Sequence, residues 1–374
     1  MQISSWNHPS DYQIHRIGIV GGNGWSDPVV SVLTRHAKYA QKLNLKSDKS
    51  AILTLYIPSN SPVSKIEAFL DVCTYKSHFP AKLDFLNFAI SKHISNFKTI
   101  TFSDPFLYPA VYFFLLKKHR QSSTIQIQCH GDFGATNWGT NNFKSWIFSK
   151  LAKFTLSRAN QIRCVGKNQA KNLILNYKVD PSKIIIAPIP TKDKGDLPEW
   201  IKPTIPVVGF LGRLHKERSV DLWVKTAQEI FSLRNDVHFL IIGDGPEREN
   251  FQRGLSNIPS NQLSFVGKLP NEEALELLAK SSLLLSTAPF ESFGMALVEA
   301  AKIGLPIVSK PTSGALDLSE GYDSISLGNT PKELARLSLA ALNREAPGVI
   351  SDSLFLQSEN ETVDAIVDAW IKLL

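Results

Sequence analysis

Short apolar runs, several of them closed by glycine and most of them followed by a stretch with helical spacing, recur along this chain and limit the folds open to it. HRIGIVGG at 15–22, AILTLYI at 51–57, TITFSD at 99–104, STIQIQCHGDFG at 123–134 and the run 161–166 read as strands in the first half. PVVGFLG at 206–212, VHFLIIGDGP at 237–246 and LSFVGKLP at 263–270 read as strands in the second, and SSLLLSTAPF at 281–290 delivers the chain to Glu291. Strands that alternate with helices pair in parallel through right-handed crossovers, so each half is expected to be a doubly wound α/β sheet. Between them KIIIAPIPTKDKGDLPEWIKPTIP, 183–206, turns from a strand into a stretch rich in Pro, Lys and Asp, as an interdomain linker does. The expected units are a first domain over 1–195, a second over 196–355, and a closing helix over 356–374. That helix carries Val363, Ile366, Val367, Trp370 and Leu373 at helical spacing.

With 374 residues, 43% of them hydrophobic and 20% charged, the chain has material for two separate cores. Its N-terminus lacks the basic start and apolar run of a signal peptide, and no run reaches 18 apolar residues. The expected location is cytoplasmic, with peripheral contact at the cytoplasmic face of a membrane as the further option. Cys73, Cys129 and Cys164 show no CxxC spacing and read as small buried hydrophobes. The net charge of +7 conceals a split. Residues 1–195 hold 25 Lys and Arg against 10 Asp and Glu, whereas the remainder holds 16 against 24. A basic first half suits an anionic surface or substrate, such as phospholipid or a lipid diphosphate, and equally suits a merely solubilising surface. Nucleic acid is not an expected partner, because no finger, RRM-type aromatic motif or basic dimerisation helix is present.

The chemistry concentrates in APFESFGMALVEAAKIGLPIV, 288–308. Glu291 and Glu299 are eight residues apart, which in continuous helix means about 12 Å and about 80° of rotation, too far to share a proton or a metal. If the helix starts near Gly294 instead, its free amides fall between the two acids and form a diphosphate seat flanked by two hydroxyl acceptors. Upstream, Arg213 with Arg218, or with Lys216, can bring cations to a phosphate pair. In the first half, Gly21, Gly22 and Gly24 permit close backbone approach to a ligand. His130 stands at the exit of a strand, the edge where ligands bind in open α/β sheets. A lone histidine is more often structural, and Gly131-Asp132 beside it brings the two readings level. Asn137, Trp138 and Asn142 follow in a polar loop able to touch an acceptor sugar. The aromatic run FLYPAVYFFLL, 106–116, reads either as a core helix or as a segment dipping into a membrane interface; it is too short to span one.

Taken together, these residues resemble a GT-B glycosyltransferase of the retaining, nucleotide-sugar-using group called glycosyltransferase family 4. Glu291 to Glu299 forms an EX7E element followed by Gly304-Leu305-Pro306. GRL at 212–214, GDGP at 243–246, FVGKLP at 265–270 and HGD at 130–132 occur in the family's order. The resemblance is to members that build bacterial surface polysaccharides.

It implies two Rossmann-like domains facing a cleft. It further implies that Glu291 accepts hydrogen bonds from donor-sugar hydroxyls and Glu299 from the nucleotide ribose. Amides of Phe293, Gly294 and Met295 would hold the sugar and distal phosphate, with Arg213, Lys216 and Arg218 neutralising the diphosphate. The turn Val266, Gly267, Lys268 and Leu269 would receive the base, and Gly22 would approach the phosphates from the opposite domain. His130 would orient a hydroxyl and stabilise positive charge at the anomeric carbon. No cofactor, metal or protein nucleophile is implied; the co-substrate is a UDP- or GDP-linked sugar. The acceptor implied is lipid-linked or a growing envelope glycan. A small soluble acceptor, or a non-catalytic homologue that only binds nucleotide sugar, is the alternative. Two departures bear on donor specificity: Arg218-Ser219 replaces the usual lysine-glycine, and Ser313-Gly314 with Asp317 replaces a common Gly-Gly and glutamate.

Overall fold

The computed structural model describes residues 15–20, 29–47, 51–58, 70–75, 97, 99–115, 123–136, 138, 143–351 and 356–374. Seven parallel strands form the first sheet: β1 (His15–Val20), β2 (Ala51–Pro58), β3 (Leu70–Tyr75), β4 (Thr99–Phe102), β5 (Thr124–Cys129), β6 (Gln161–Cys164) and β7 (Ile184–Ile186). Their spatial order is β3-β2-β1-β4-β5-β6-β7. Six more form the second: β8 (Val207–Leu211), β9 (His238–Ile242), β10 (Leu263–Gly267), β11 (Leu283–Ser286), β12 (Ile307–Ser309) and β13 (Ile325–Leu327), in the order β10-β9-β8-β11-β12-β13. Both orders reverse direction once, between β1 and β4 and between β8 and β11. Such a reversal leaves a crevice at the carboxyl ends of the strands, where ligands bind. The doubly wound α/β expectation therefore holds in both halves.

Helices cover both faces of each sheet, as parallel strands buried on two sides require. In the first, Ile100, Phe102, Ile125, Ile127 and Ile162 pack beneath the helices Leu107–Leu115 and Phe143–Arg158. On the other face the first helix, Val29–Lys46, meets the last, Glu359–Ile371, around Leu43, Val363, Ile366, Val367 and Trp370. The chain therefore crosses to the second sheet after β7 and returns to the first to end. The closing helix starts at a capping box on Ser358 and Glu361, and Trp370 Nε1 donates to the buried Gln126 Oε1 at 2.9 Å. In the second sheet, Val208, Phe239 and Ile241 pack with Trp223 and Phe251 on one face, while Leu284, Ile307, Val298 and Ala301 pack on the other.

Three strands depart from the sequence reading. β3, β12 and β13 were not expected, and two of them are only three residues long. The first helix runs from Val29 to Lys46. Tyr108, Ala110, Tyr112 and Phe113 of the aromatic run are buried, as its core reading expects, whereas Phe114 is exposed. Cys129 and Cys164, register neighbours on β5 and β6, are buried and free. No helix among the described residues is long and apolar enough to cross a membrane.

Candidate active site

The second crevice is built by glycines that let two loops touch. Gly212 follows β8 and Gly243 follows β9; a Cβ on Gly243 would stand 1.8 Å from the Gly212 carbonyl oxygen, and one on Gly245 would stand 2.3 Å from that of Leu214. Leu214 N–H donates to the Asp244 carbonyl and Glu247 N–H to that of Leu214, each at 3.0 Å. The GRL and GDGP motifs are thus two sides of one contact. Beyond it a 3-10 turn, Lys216–Arg218, ends at Ser219, which is left-handed at φ 51° and ψ 56°. That conformation suits glycine and costs a side chain about 1–2 kcal/mol. Thr287 Oγ, at the end of β11, donates to the carbonyls of Arg218 and Ser219 and fixes the turn against the strand edge.

The turn points Arg218 inward. Its guanidinium pairs with the Glu291 carboxylate, and both side chains line a small cavity with Leu211, Ser286, Gly294 and Leu297 at the β8–β11 reversal. Arg213 lies outside the cavity, exposed and paired with Glu217 at 3.1 Å, and Lys216 is exposed as well. Of the three cations expected around a diphosphate, Arg218 alone reaches the cavity.

Glu291 lies in a loop, and the helix begins only at Met295, running to Ile303 with Gly294 as its left-handed cap. No side chain caps it, so its first amides are left for water or ligand. Phe293 is buried, and its carbonyl passes so near Gly314 that a Cβ there would stand 2.4 Å away; Gly314 N–H donates to the Glu291 carbonyl at 2.9 Å. Glu299, on the next turn of the helix, is buried and accepts from Asn271 Nδ2 at 3.2 Å. Burial raises its pKa, opposed by the Asn271 hydrogen bond. Asn271 follows the Val266–Leu269 turn by two residues, so the expected base loop and ribose acid are brought together. Within that turn Val266 and Lys268 are exposed, Leu269 is half-buried, and Gly267 at φ 85° accepts from Gly243 N–H at 2.9 Å.

The first sheet contributes β5. His130 follows Cys129 and opens to the cleft, and its carbonyl accepts from Ser292 Oγ in the Glu291 loop. Gln128 Oε1 stands 2.9 Å from His130 Nε2 and accepts from Arg163 Nη1 at 3.3 Å. An amide oxygen has no proton to give, so Nε2 carries the hydrogen and Nδ1 is the free acceptor. Desolvation, and behind it the Arg163 charge, hold His130 well below the ordinary histidine pKa, leaving it neutral at pH 7. Asp132 is buried and accepts from Ser313 Oγ at 2.7 Å, while Asn172 Nδ2 donates to the same Ser313 oxygen at 3.0 Å. Burial pushes the Asp132 carboxyl up to about 6. Asn168 donates to Asp317 through its backbone and its side chain.

Ser313 and Asp317, the departures from the family pattern, are thus ties between the two sheets. Sequence reading gave them no such role. The visible signal was Asn168 and Asn172 four residues apart, a polar pair on one helix face. Gly22, Asn137 and Asn142 lie outside the described residues; Trp138 packs as a stacked ring on Phe106, 6.0 Å between centroids. Among the described residues no three His, Cys, Asp or Glu side chains gather as a metal-holding group.

Residues 205–344 match the family model for glycosyl transferases group 1. The chain is 26% identical over 242 residues to the GPI3 subunit of phosphatidylinositol N-acetylglucosaminyltransferase from Saccharomyces cerevisiae strain YJM789, over 61% of this chain and 52% of the relative. It thus spans about half the length of that curated relative. Among solved structures it is similar to sucrose-phosphate synthase from Thermosynechococcus elongatus, with a TM-score of 0.67, 13% identity and 96% of each chain covered. It is also similar to Anabaena HepE in complex with UDP and glucose, with a TM-score of 0.62, 15% identity and 94% of each chain covered. The chain therefore carries a glycosyl transferases group 1 domain over residues 205–344 and has the GT-B fold, two Rossmann-like sheets facing one cleft.

Proposed function

We propose that this chain is a retaining glycosyltransferase that moves a hexose from a nucleoside-diphosphate sugar to a lipid-linked or growing envelope glycan. The observation that carries the reading is the bracketing of one uncapped helix start by Glu291, paired to Arg218, and Glu299, beside the Val266–Leu269 turn. A nucleoside-diphosphate sugar laid along it puts its base at the turn, its ribose diol on Glu299, its diphosphate at the amides of Gly294 and Met295 and its hexose at Glu291. An ionised carboxylate is acceptor-only and suits diols. Solved HepE holds UDP and glucose on this fold, which supports a uridine donor.

In the transfer, the bond from the anomeric carbon to the distal phosphate breaks as the acceptor oxygen bonds to that carbon on the same face. The acceptor proton passes to the departing phosphate oxygen. Arg218 and the helix amides stabilise the charge that grows on the diphosphate, the task metals perform elsewhere, so no metal is required. Neutral His130 offers Nδ1 to a hydroxyl of the sugar and leaves the developing positive charge unopposed. No protein nucleophile takes part.

Incubating the purified chain with UDP-, GDP- and ADP-hexoses and measuring donor hydrolysis and transfer tests the reading. Turnover or saturable binding of at least one donor is expected, with the anomeric configuration kept in the product by NMR. Neither binding nor turnover with any of them would overturn it, and an inverted product would remove the retaining course.

A further inference from the structure

The helix Phe143–Arg158 has apolar residues on two opposite faces. Ala152, Thr155 and Leu156 point into the core. Facing solvent, Phe143 is 76% exposed, Trp146 51% and Ile147 38%, and at helical spacing they are followed by Lys150 and Arg158. Phe143 and Trp146 stack at 5.9 Å, and the Lys150 ammonium lies 5.6 Å from the Trp146 ring centre. At the other end Phe114, 63% exposed, stacks on Phe154 at 4.6 Å with the Arg158 guanidinium over the same ring. Water-facing aromatic residues in a contiguous stripe mark an interaction surface, unlike scattered single ones.

Charge identifies the partner. From 105 to 179 the sequence holds 11 Lys and Arg and one acid, Asp132, which is buried and tied to Ser313. Among the described residues no carboxylate pairs with Lys144, Lys150 or Lys153. An apolar stripe of Phe, Trp and Ile flanked by Lys144, Lys150 and Lys153, on a helix along a domain surface, suits the boundary between headgroups and acyl chains of an anionic leaflet. The helix follows β5 and precedes its parallel neighbour β6, so its first turn lies at the carboxyl edge of the sheet, where His130 opens to the cleft.

We propose that the outer face of Phe143–Arg158, with Phe114 beside it, docks this chain on an anionic phospholipid membrane. Phe143, Trp146 and Ile147 enter the interface and Lys144, Lys150 and Lys153 engage the headgroups. Membrane docking is separate from the transfer reaction and is measured without any sugar donor.

The test is flotation of the full chain with vesicles of phosphatidylcholine alone or of phosphatidylcholine mixed with phosphatidylglycerol. Binding is expected to the mixed vesicles only and to weaken with salt. Lys144→Glu/Lys150→Glu/Lys153→Glu is expected to lower partitioning by about a hundredfold or more, at roughly fivefold per charge lost. Phe143→Ser/Trp146→Ser/Ile147→Ser is expected to lower it at least about tenfold with an unchanged Tm. Wild-type protein that stays off mixed vesicles, equal binding to both vesicle types, or equal binding by the apolar variant would overturn the proposal. So would a light-scattering dimer that the apolar variant dissolves, since the stripe would then be covered by a second copy. Donor turnover measured without vesicles stays at the wild-type level in both variants, which separates failure here from failure of the transfer reading.

Discussion

The two sheets share one strand order for their first six strands and oppose their carboxyl edges, yet they build those edges by different physics. At the second, backbone touches backbone: Gly243 and Gly245 press on Gly212 and Leu214, and charge enters as Arg218 and Glu291. At the first, side chains do the work: neutral His130 is held by Gln128 and Arg163, and Asp132 is buried against Ser313. The first half carries the larger positive charge, yet its described cleft edge presents an uncharged ring and a buried carboxyl. Four of its cations, Lys144, Lys150, Lys153 and Arg158, lie on the outer helix. The second edge thus sets Arg218 beside uncapped helix amides and the first sets a neutral imidazole, an arrangement that fits the proposed transfer.

The largest effect separating the edges is expected on activity. Glu291→Gln removes the acceptor charge at the sugar end and leaves Arg218 without its partner, and kcat/KM for the donor should fall about a hundredfold or more with the fold retained. Glu299→Gln should act mainly through donor affinity, about tenfold in KM, because a ribose contact is made equally before and during transfer. Steady-state kinetics on both variants checks this; equal losses in kcat would mean that the two acids do not serve opposite ends of one donor.

The next contrast is in stability. Gly243→Ala places a methyl 1.8 Å from the Gly212 oxygen and should cost about 3 kcal/mol or more, whereas a Cβ on Gly131, in the first edge, meets nothing nearer than Phe133 Cδ1 at 3.8 Å. Gly131→Ala should stay within about 0.5 kcal/mol by urea denaturation. Comparable losses at both positions would show that the first edge is also built on backbone contact.

The interdomain tie gives a pH signature. The folded Asp132 carboxyl titrates near 6, above its ordinary value of 3.8, so its folded form binds the proton more tightly than the unfolded chain does. Its contribution is complete below pH 3.8 and is lost as pH rises through 6. Relative to Asp132→Asn, the wild type should lose roughly 3 kcal/mol over that interval and stay level above it. His130, held low, works in the opposite sense: its contribution is present above pH 6.5 and is lost as pH falls. Denaturation of wild type, Asp132→Asn and His130→Gln across this range separates the two; a pH-independent difference between Asp132→Asn and wild type would remove the raised carboxyl.

Much of this was legible in the residues, because parallel strands buried on both faces leave apolar runs and their exits leave glycines. β12 and β13 were not, since three residues carry too little periodicity to stand out. The start of the helix at Met295 could be read from Phe293-Gly294, as a local signal at one residue. The choice among Arg213, Lys216 and Arg218 could not, for three cations within six residues are equivalent until the 3-10 turn and left-handed Ser219 aim one of them inward. Asp132 and Ser313, 181 residues apart, meet only because the two edges face each other. Short polar side chains carry no periodic signal of such a partner.

Ser219 also supplies the smallest effect. Its left-handed backbone costs a side chain about 1–2 kcal/mol, and its own hydroxyl caps no helix amide in return. Glycine removes that cost but gives back about 0.4–1 kcal/mol through the freer unfolded chain. Ser219→Gly should therefore raise stability by about 0.5 kcal/mol, read as a higher urea midpoint at constant m-value. Arg218 should keep its reach to Glu291, because Thr287 holds the turn through the carbonyls of residues 218 and 219 and not through the serine side chain. A lower midpoint together with reduced donor affinity would mean that the serine itself stiffens the turn. The second edge would then depend on a side chain as the first does.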